Sequence, residues 1–237
     1  MSILTFDNVA FRFDGAVTDV FDNMSLRIDT AWKTGLIGRN GKGKTTLLRL
    51  LLGELQPTRG RITRACDMAY FPYRPPRDTE VTAEVIKQCV APFRAWEARL
   101  HELAAHPATA ASAEYGELLD LYQHHGGYDI AARIEQECHD SGLQPSCLQQ
   151  PFATLSGGEQ TRALIVALFL RADAFPLIDE PTDHLDMAGR TLLGAYLARK
   201  RGFLLVSHDR AFLDQCVDHI VSLERATVRI THGSYSA

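Results

Sequence analysis

Several short stretches of this chain carry side chains whose types and spacing suit chemistry on a phosphate. Gly38 to Thr46 reads Gly-Arg-Asn-Gly-Lys-Gly-Lys-Thr-Thr and fits G-x-x-x-x-G-K-[ST] through Gly38, Gly43, Lys44 and Thr45. Backbone N–H groups can surround a triphosphate only where no Cβ intervenes, which Gly38, Gly41 and Gly43 provide. Lys44 then reaches the β- and γ-phosphates, and the Thr45 hydroxyl is a candidate ligand for Mg2+, which prefers oxygen. A chance glycine- and lysine-rich turn is the alternative.

Two further stretches end apolar runs. Phe175 to Ile178 leads into Asp179-Glu180, and Phe203 to Val206 into Ser207-His208-Asp209. A carboxylate at the C-terminal end of a strand in an α/β sheet faces the ligand crevice. Asp179 there is placed against Mg2+ and Glu180 to orient or deprotonate a water, and His208 ends its own strand in line with Asp179 and Lys44. Leu155 to Gln160, Leu-Ser-Gly-Gly-Glu-Gln, opens an apolar helix. Ser156 with Glu159 three residues on is a capping box. The glycines beside it, Gly157 and Gly158, leave the helix start bare enough for a second phosphate contact.

The elements that must hold these groups are legible around them. Lys33 to Ile37 reads as a buried strand, and Leu47, Leu48, Leu51 and Leu52 recur at helical spacing up to a Gly53 C-cap, so strand, loop and helix follow in order. Met1 to Asp29 alternates apolar and polar residues as half-buried antiparallel strands do. Phe13 at the end of the first of these is a candidate to stack on a purine, or a core aromatic. Pro72, Pro75 and Pro76 mark the clearest boundary. From Thr82 to Ser141 apolar residues recur every three or four positions, which predicts an inserted subdomain of about four helices. Asp183 to Asp186 caps a helix running to about Lys200, and short strands close the chain.

The totals exclude other classes. With 237 residues, 46% of them hydrophobic and 23% charged, the chain has an ordinary soluble composition and room for a real core. No run approaches the ~18 apolar residues of a membrane span, and Met1 to Phe6 lacks a signal core, so a cytoplasmic domain with no direct membrane insertion is expected. The five cysteines form no C-x-x-C pair, which leaves neither a disulfide framework nor a zinc site. Against a net charge of -4, Arg74 to Leu155 is the acidic part of the chain, a segment better suited to a protein surface than to a phosphate backbone.

Taken together, the sequence resembles an ATP-binding cassette (ABC) domain over nearly its whole length. The Walker A loop (Gly38 to Thr46), the signature (Leu155 to Gln160), the Walker B end (Asp179-Glu180), the D-loop around Leu185-Asp186 and the switch His208 occur in the family's order. The resemblance implies an α/β fold of the P-loop cassette type: a central, mostly parallel sheet flanked by helices, with an N-terminal antiparallel β layer and an inserted helical subdomain. The expected division is a nucleotide-binding core over residues 1–73 and 151–237, with helical subdomain 74–150.

The same resemblance implies ATP and Mg2+ as ligands. Gly38, Arg39, Asn40, Gly41, Lys42, Gly43, Lys44, Thr45 and Thr46 are then nucleotide-binding, with Phe13 as the adenine-stacking aromatic. Thr45 and Asp179 hold the metal, and Glu180 and His208 are catalytic. Ser156, Gly157, Gly158 and Glu159 act on the nucleotide of a partner cassette, in the same longer chain or in an ATP-driven homodimer.

Asp179 to Asp186, Ser207 to Asp214 and the ending Gly233-Ser234-Tyr235-Ser236 are close to those of ABC-F proteins. That branch has twin cassettes, no membrane domain, and acts on ribosomes; some members confer antibiotic resistance. The ATPase subunit of a membrane transporter is the alternative. Two positions depart from the family pattern: Tyr73 stands where a glutamine is usual, and Asp183 where an asparagine is.

Overall fold

A computed structural model describes residues 2–39, 41–110, 112–224 and 228–233. In chain order, β1 (Ile3–Phe11), β2 (Phe21–Asp29) and β3 (Lys33–Gly38) are followed by α1 (Lys44–Leu52), β4 (Arg59–Thr63) and β5 (Asp67–Phe71). A helical stretch comes next: α2 (Thr82–Val90), α3 (Phe93–Ala104), α4 (Pro107–Ala110), α5 (Ala113–His124), α6 (Ile130–Asp140) and α7 (Gly157–Leu170). The chain closes with β6 (Ala174–Asp179), α8 (Met187–Arg199), β7 (Phe203–Val206), α9 (Arg210–Cys216), β8 (His219–Leu223) and β9 (Val228–His232).

Two compact units result, residues 1–72 with 173–237, and residues 73–172. The first unit holds two sheets. One is antiparallel, in the order β2-β1-β4, and matches the alternating pattern of the first 29 residues. The other runs β5-β6-β7-β3-β8-β9, parallel except where β9 returns antiparallel to β8. β7 is apolar and buried throughout, and β6 and β3 are buried through their middle residues, because each of these central strands is paired on both edges.

α1 sits at the middle of one shared core. Its Leu47, Leu48, Leu50 and Leu51 are fully buried with Leu4, Phe6, Leu26 and Ile28 of the antiparallel sheet and Leu36, Leu177, Leu204 and Val221 of the parallel one. A four-leucine face on a helix of 9 residues fixes both its depth and its rotation, and so the loop that leads into it.

The second unit differs from the expectation in extent and in helix count. It begins at Tyr73 and runs on to Ala172, taking in the signature helix α7 that the sequence reading assigned to the core. The reason lies in packing: from Ala163 to Leu170 α7 is apolar on every side, and within this unit it lies against α2 and α6. Among the described residues between Thr82 and Asp140 there are five helices rather than four, because the Pro107–Ala110 turn forms a short helix of its own.

Candidate functional site

The loop after β3 is shaped by its glycines. Gly43 has φ +95°, and a Cβ there would meet Val20 Cγ1 at 2.7 Å and Phe21 Cζ at 2.8 Å, so the β1–β2 connection abuts the loop and excludes any larger residue. At Gly38 a Cβ would lie 2.9 Å from the Leu223 carbonyl oxygen of β8. Gly43 is also the N-cap of α1 and supplies no side-chain cap, and the first turn carries no acid. The first N–H groups of α1 therefore lack the serine, aspartate or glutamate that commonly meets them, an arrangement suited to an incoming anion. Lys44 Nζ folds back to donate to the Gly38 carbonyl at 2.7 Å. Thr45 is exposed and Thr46 buried.

β6 and β7 deliver the acidic groups. Asp179 Oδ2 accepts from the Tyr70 hydroxyl at 3.1 Å, a pairing that the β5–β6 register makes possible by setting Tyr70 beside Leu177. Burial raises the Asp179 carboxyl above the usual range, against the Tyr70 bond and the opposing charge of Lys44. Burial and the Asp179 charge push the Tyr70 hydroxyl up to about 12. Sequence reasoning passed over Tyr70; the signal was a polar-tipped residue near the end of an otherwise apolar strand.

Glu180 adopts φ +47°, a left-handed conformation costly for a side chain of this size. Its N–H donates to Val206 O at 3.0 Å, which pins the strained residue to the end of β7. Glu180 Oε2 accepts from the His208 backbone N–H at 3.2 Å. Among the described residues Oε1 is buried and accepts no hydrogen bond, and His208 Nε2 lies 3.0 Å from it. Burial, followed by the bond from His208, sets the balance that leaves the Glu180 carboxyl above its ordinary value. Asp183 lies close enough to raise both carboxyls further.

Neighbouring caps hold these strand ends in place. Asp186 caps α8 by accepting from Gly189 N at 2.7 Å. Asp209 caps α9 and also accepts from Arg190 Nη1 of α8 at 3.2 Å. A groove of ≈ 790 Å³ opens beside the loop, lined by Gly38, Arg39, Lys42, Ser207, His208 and Glu224 among others.

The structure thus gathers Gly38, Arg39, Lys42 and His208 around one groove and couples Lys44, Asp179, Glu180 and His208 electrostatically. Phe13 is 42% exposed, edge-on to Phe11 at 4.9 Å. Asn40 and the ending 234–236 lie outside the described residues. In the helical unit Ser156 and Glu159 form the expected capping box. Tyr73, at the usual glutamine position, turns its hydroxyl to the Leu164 carbonyl of α7 at 3.0 Å. Burial drives that phenol well above its usual range.

Asp179 at the end of β6 fits a hard divalent cation. Among the described residues no three His, Cys, Asp or Glu side chains form a metal cage. A half-buried carboxylate whose charged form burial disfavours, as at Asp179, instead matches a cation that draws its other ligands from phosphate and water, as Mg2+ does.

A stability prediction follows from Glu180. Its folded value lies above its unfolded one, so the folded state binds the proton more tightly. Stability is therefore lowest above the folded value, recovers as pH falls through it, and levels off below the unfolded value. In the nucleotide-free protein Glu180→Gln should raise the thermal midpoint at pH 7, with the difference disappearing at acid pH; calorimetric scans across pH check this.

Residues 21–183 match the family described as "ABC transporter". The tylosin resistance ATP-binding protein TlrC of Streptomyces fradiae is 34% identical over 94% of this chain and 42% of its own length. The probable ATP-binding protein YheS of Escherichia coli strain K12 is 33% identical over 92% of this chain and 34% of its own. The energy-dependent translational throttle protein EttA of Mycobacterium tuberculosis H37Rv is 29% identical over 92% and 40%. The chain thus spans less than half the length of each of these relatives. Among solved structures, the dimeric structure of MJ0796, a bacterial ABC transporter cassette, superposes with TM-score 0.67 at 16% identity, covering 97% of this chain and 98% of that one. Among the described residues no helix is long and apolar enough to cross a membrane. With the loop, the strand-end acids and these matches in agreement, the chain belongs to the ABC transporter family, as one of its ATPase cassettes.

Proposed function

We propose that this cassette binds ATP with Mg2+ at the loop of residues 38–46 and hydrolyses it, within a cytoplasmic ABC-F protein that acts on ribosomes. The observation that carries the reading is the convergence of Lys44, Asp179, Glu180 and His208 beside a helix start that the chain itself leaves uncapped. The loop amides and the N-terminus of α1 receive the phosphates, and Lys44 Nζ leaves the Gly38 carbonyl to join them. Thr45 and Asp179 would hold Mg2+, which when bound would supply charge neutralisation on the phosphates. Glu180 takes a proton from the attacking water; its raised basicity suits a general base. His208 steadies Glu180 and meets the γ-phosphate. Phe13, exposed at the end of β1, stacks on the adenine. Ser156, Gly157 and Gly158 reach the nucleotide of a second cassette, so a lone domain binds well and turns over slowly.

The ABC-F assignment is supported by relatives whose names speak of tylosin resistance and of a translational throttle. Tyr73 supports it too, since its side chain is committed to α7. The test is sedimentation with ribosomes. The full-length protein carrying Glu180→Gln should be enriched on ribosomes in ATP relative to the unmutated protein. Equal recovery, or co-purification with a membrane protein, favours a transporter subunit instead.

A further inference from the structure

The signature segment is already occupied by one of the chain's own carboxylates. Ser156 Oγ donates to Glu159 Oε2 at 2.7 Å, and the Ser156 backbone N–H donates to the same oxygen at 2.8 Å. The Glu159 N–H returns a bond to Ser156 Oγ at 3.3 Å. Glu159 Oε1 is engaged from the other side by the thiol of Cys147 at 3.5 Å, a buried residue of the turn Pro145–Gln149. The bonds from Ser156 hold the Glu159 carboxyl below its usual range, so it is an anion at the N-terminus of α7. Ser156 and Gly157 are solvent-exposed, so the segment that could grip a foreign phosphate faces outward with its best donors engaged.

We infer that Glu159, held by Cys147, is a positioning residue that occupies the Ser156 hydroxyl until the nucleotide of the second cassette displaces it. This rests on the reading that Ser156 serves a partner's nucleotide. A serine hydroxyl has one proton and donates to one acceptor at a time, so carboxylate and phosphate compete for it. The competition makes assembly of the composite site dependent on the full charge of the incoming phosphate and weakens association driven by anything less. Cys147 keeps the carboxylate from swinging clear, because it fixes Oε1 while Oε2 faces Ser156.

Two substitutions separate contact from charge. Glu159→Gln keeps a capping-box residue but removes the anion; Glu159→Asp keeps the anion but shortens its reach to Ser156. Each is made in the 237-residue chain carrying Glu180→Gln, and self-association in magnesium ATP is followed by sedimentation velocity. Charged hydrogen bonds are roughly twice as strong as neutral ones, so both variants should associate about tenfold more tightly, equivalent to ~1.4 kcal/mol. Tightening by Glu159→Gln alone would assign the effect to repulsion and overturn the inference, as would no tightening in either. Calorimetry on the parent separates the two levels: without ATP binding the functional reading itself fails, and this inference with it.

Discussion

Glu180→Gln is expected to keep magnesium ATP bound while lowering turnover by about 10²–10⁴-fold, the usual contribution of a positioned general base. The carboxamide preserves size and can still accept the His208 N–H that now reaches Glu180 Oε2 at 3.2 Å. It cannot take a proton from water. In the proposed mechanism the ground-state phosphate contacts come from the loop and Lys44, which the substitution does not touch, so binding should survive and only the transition state lose support. The strained backbone at φ +47° persists in the variant, because its anchor is the backbone hydrogen bond from Glu180 N–H to Val206 O. Phosphate release by the paired, full-length protein is the readout. Hydrolysis at the normal rate would remove Glu180 from the chemistry.

Lys44→Ala should abolish measurable binding of magnesium ATP. In the free cassette the ammonium group is held at the mouth of the loop, 2.7 Å from the Gly38 carbonyl, and its charge already bears on Asp179. Removing one member of a desolvated charge pair costs roughly 2–5 kcal/mol, which weakens binding by about thirtyfold to several thousandfold. Folding should be affected little, because one bond to a loop carbonyl is lost while the leucine face of α1 remains buried. A normal circular dichroism spectrum with an absent binding isotherm is the expected pair of results.

The parts of the site that sequence revealed are those whose chemistry is local. Gly43 is required by its own φ and by the approach of Val20 and Phe21, so the requirement shows in the residue type itself. The Ser156–Glu159 box also lies within one turn, and it forms as its spacing predicts. Asp179 and Glu180 were recognisable because acids directly follow a buried apolar strand.

What escaped depends on long-range pairing. Tyr70 and Asp179 are 109 positions apart and meet only through the register of β5 on β6. Cys147 reaches Glu159 because a turn with no periodic signature folds beneath the start of α7. The helical unit's extent was hidden for a related reason: Ala163, Leu164, Ile165, Val166 and Leu168 are all buried, so periodicity could not show which neighbours α7 packs on. The left-handed backbone at Glu180 likewise leaves no mark on a residue type that seldom adopts it.

The proposed chemistry depends on the loop and Lys44 gripping the polyphosphate before any hydrolysis takes place. Titrating magnesium ATP calorimetrically into the 237-residue chain and into its Lys44→Ala variant measures that step alone. A single saturable site per chain in the first protein, and none in the second, is the predicted result. No saturable heat in the parent, or the same isotherm in both proteins, would contradict it.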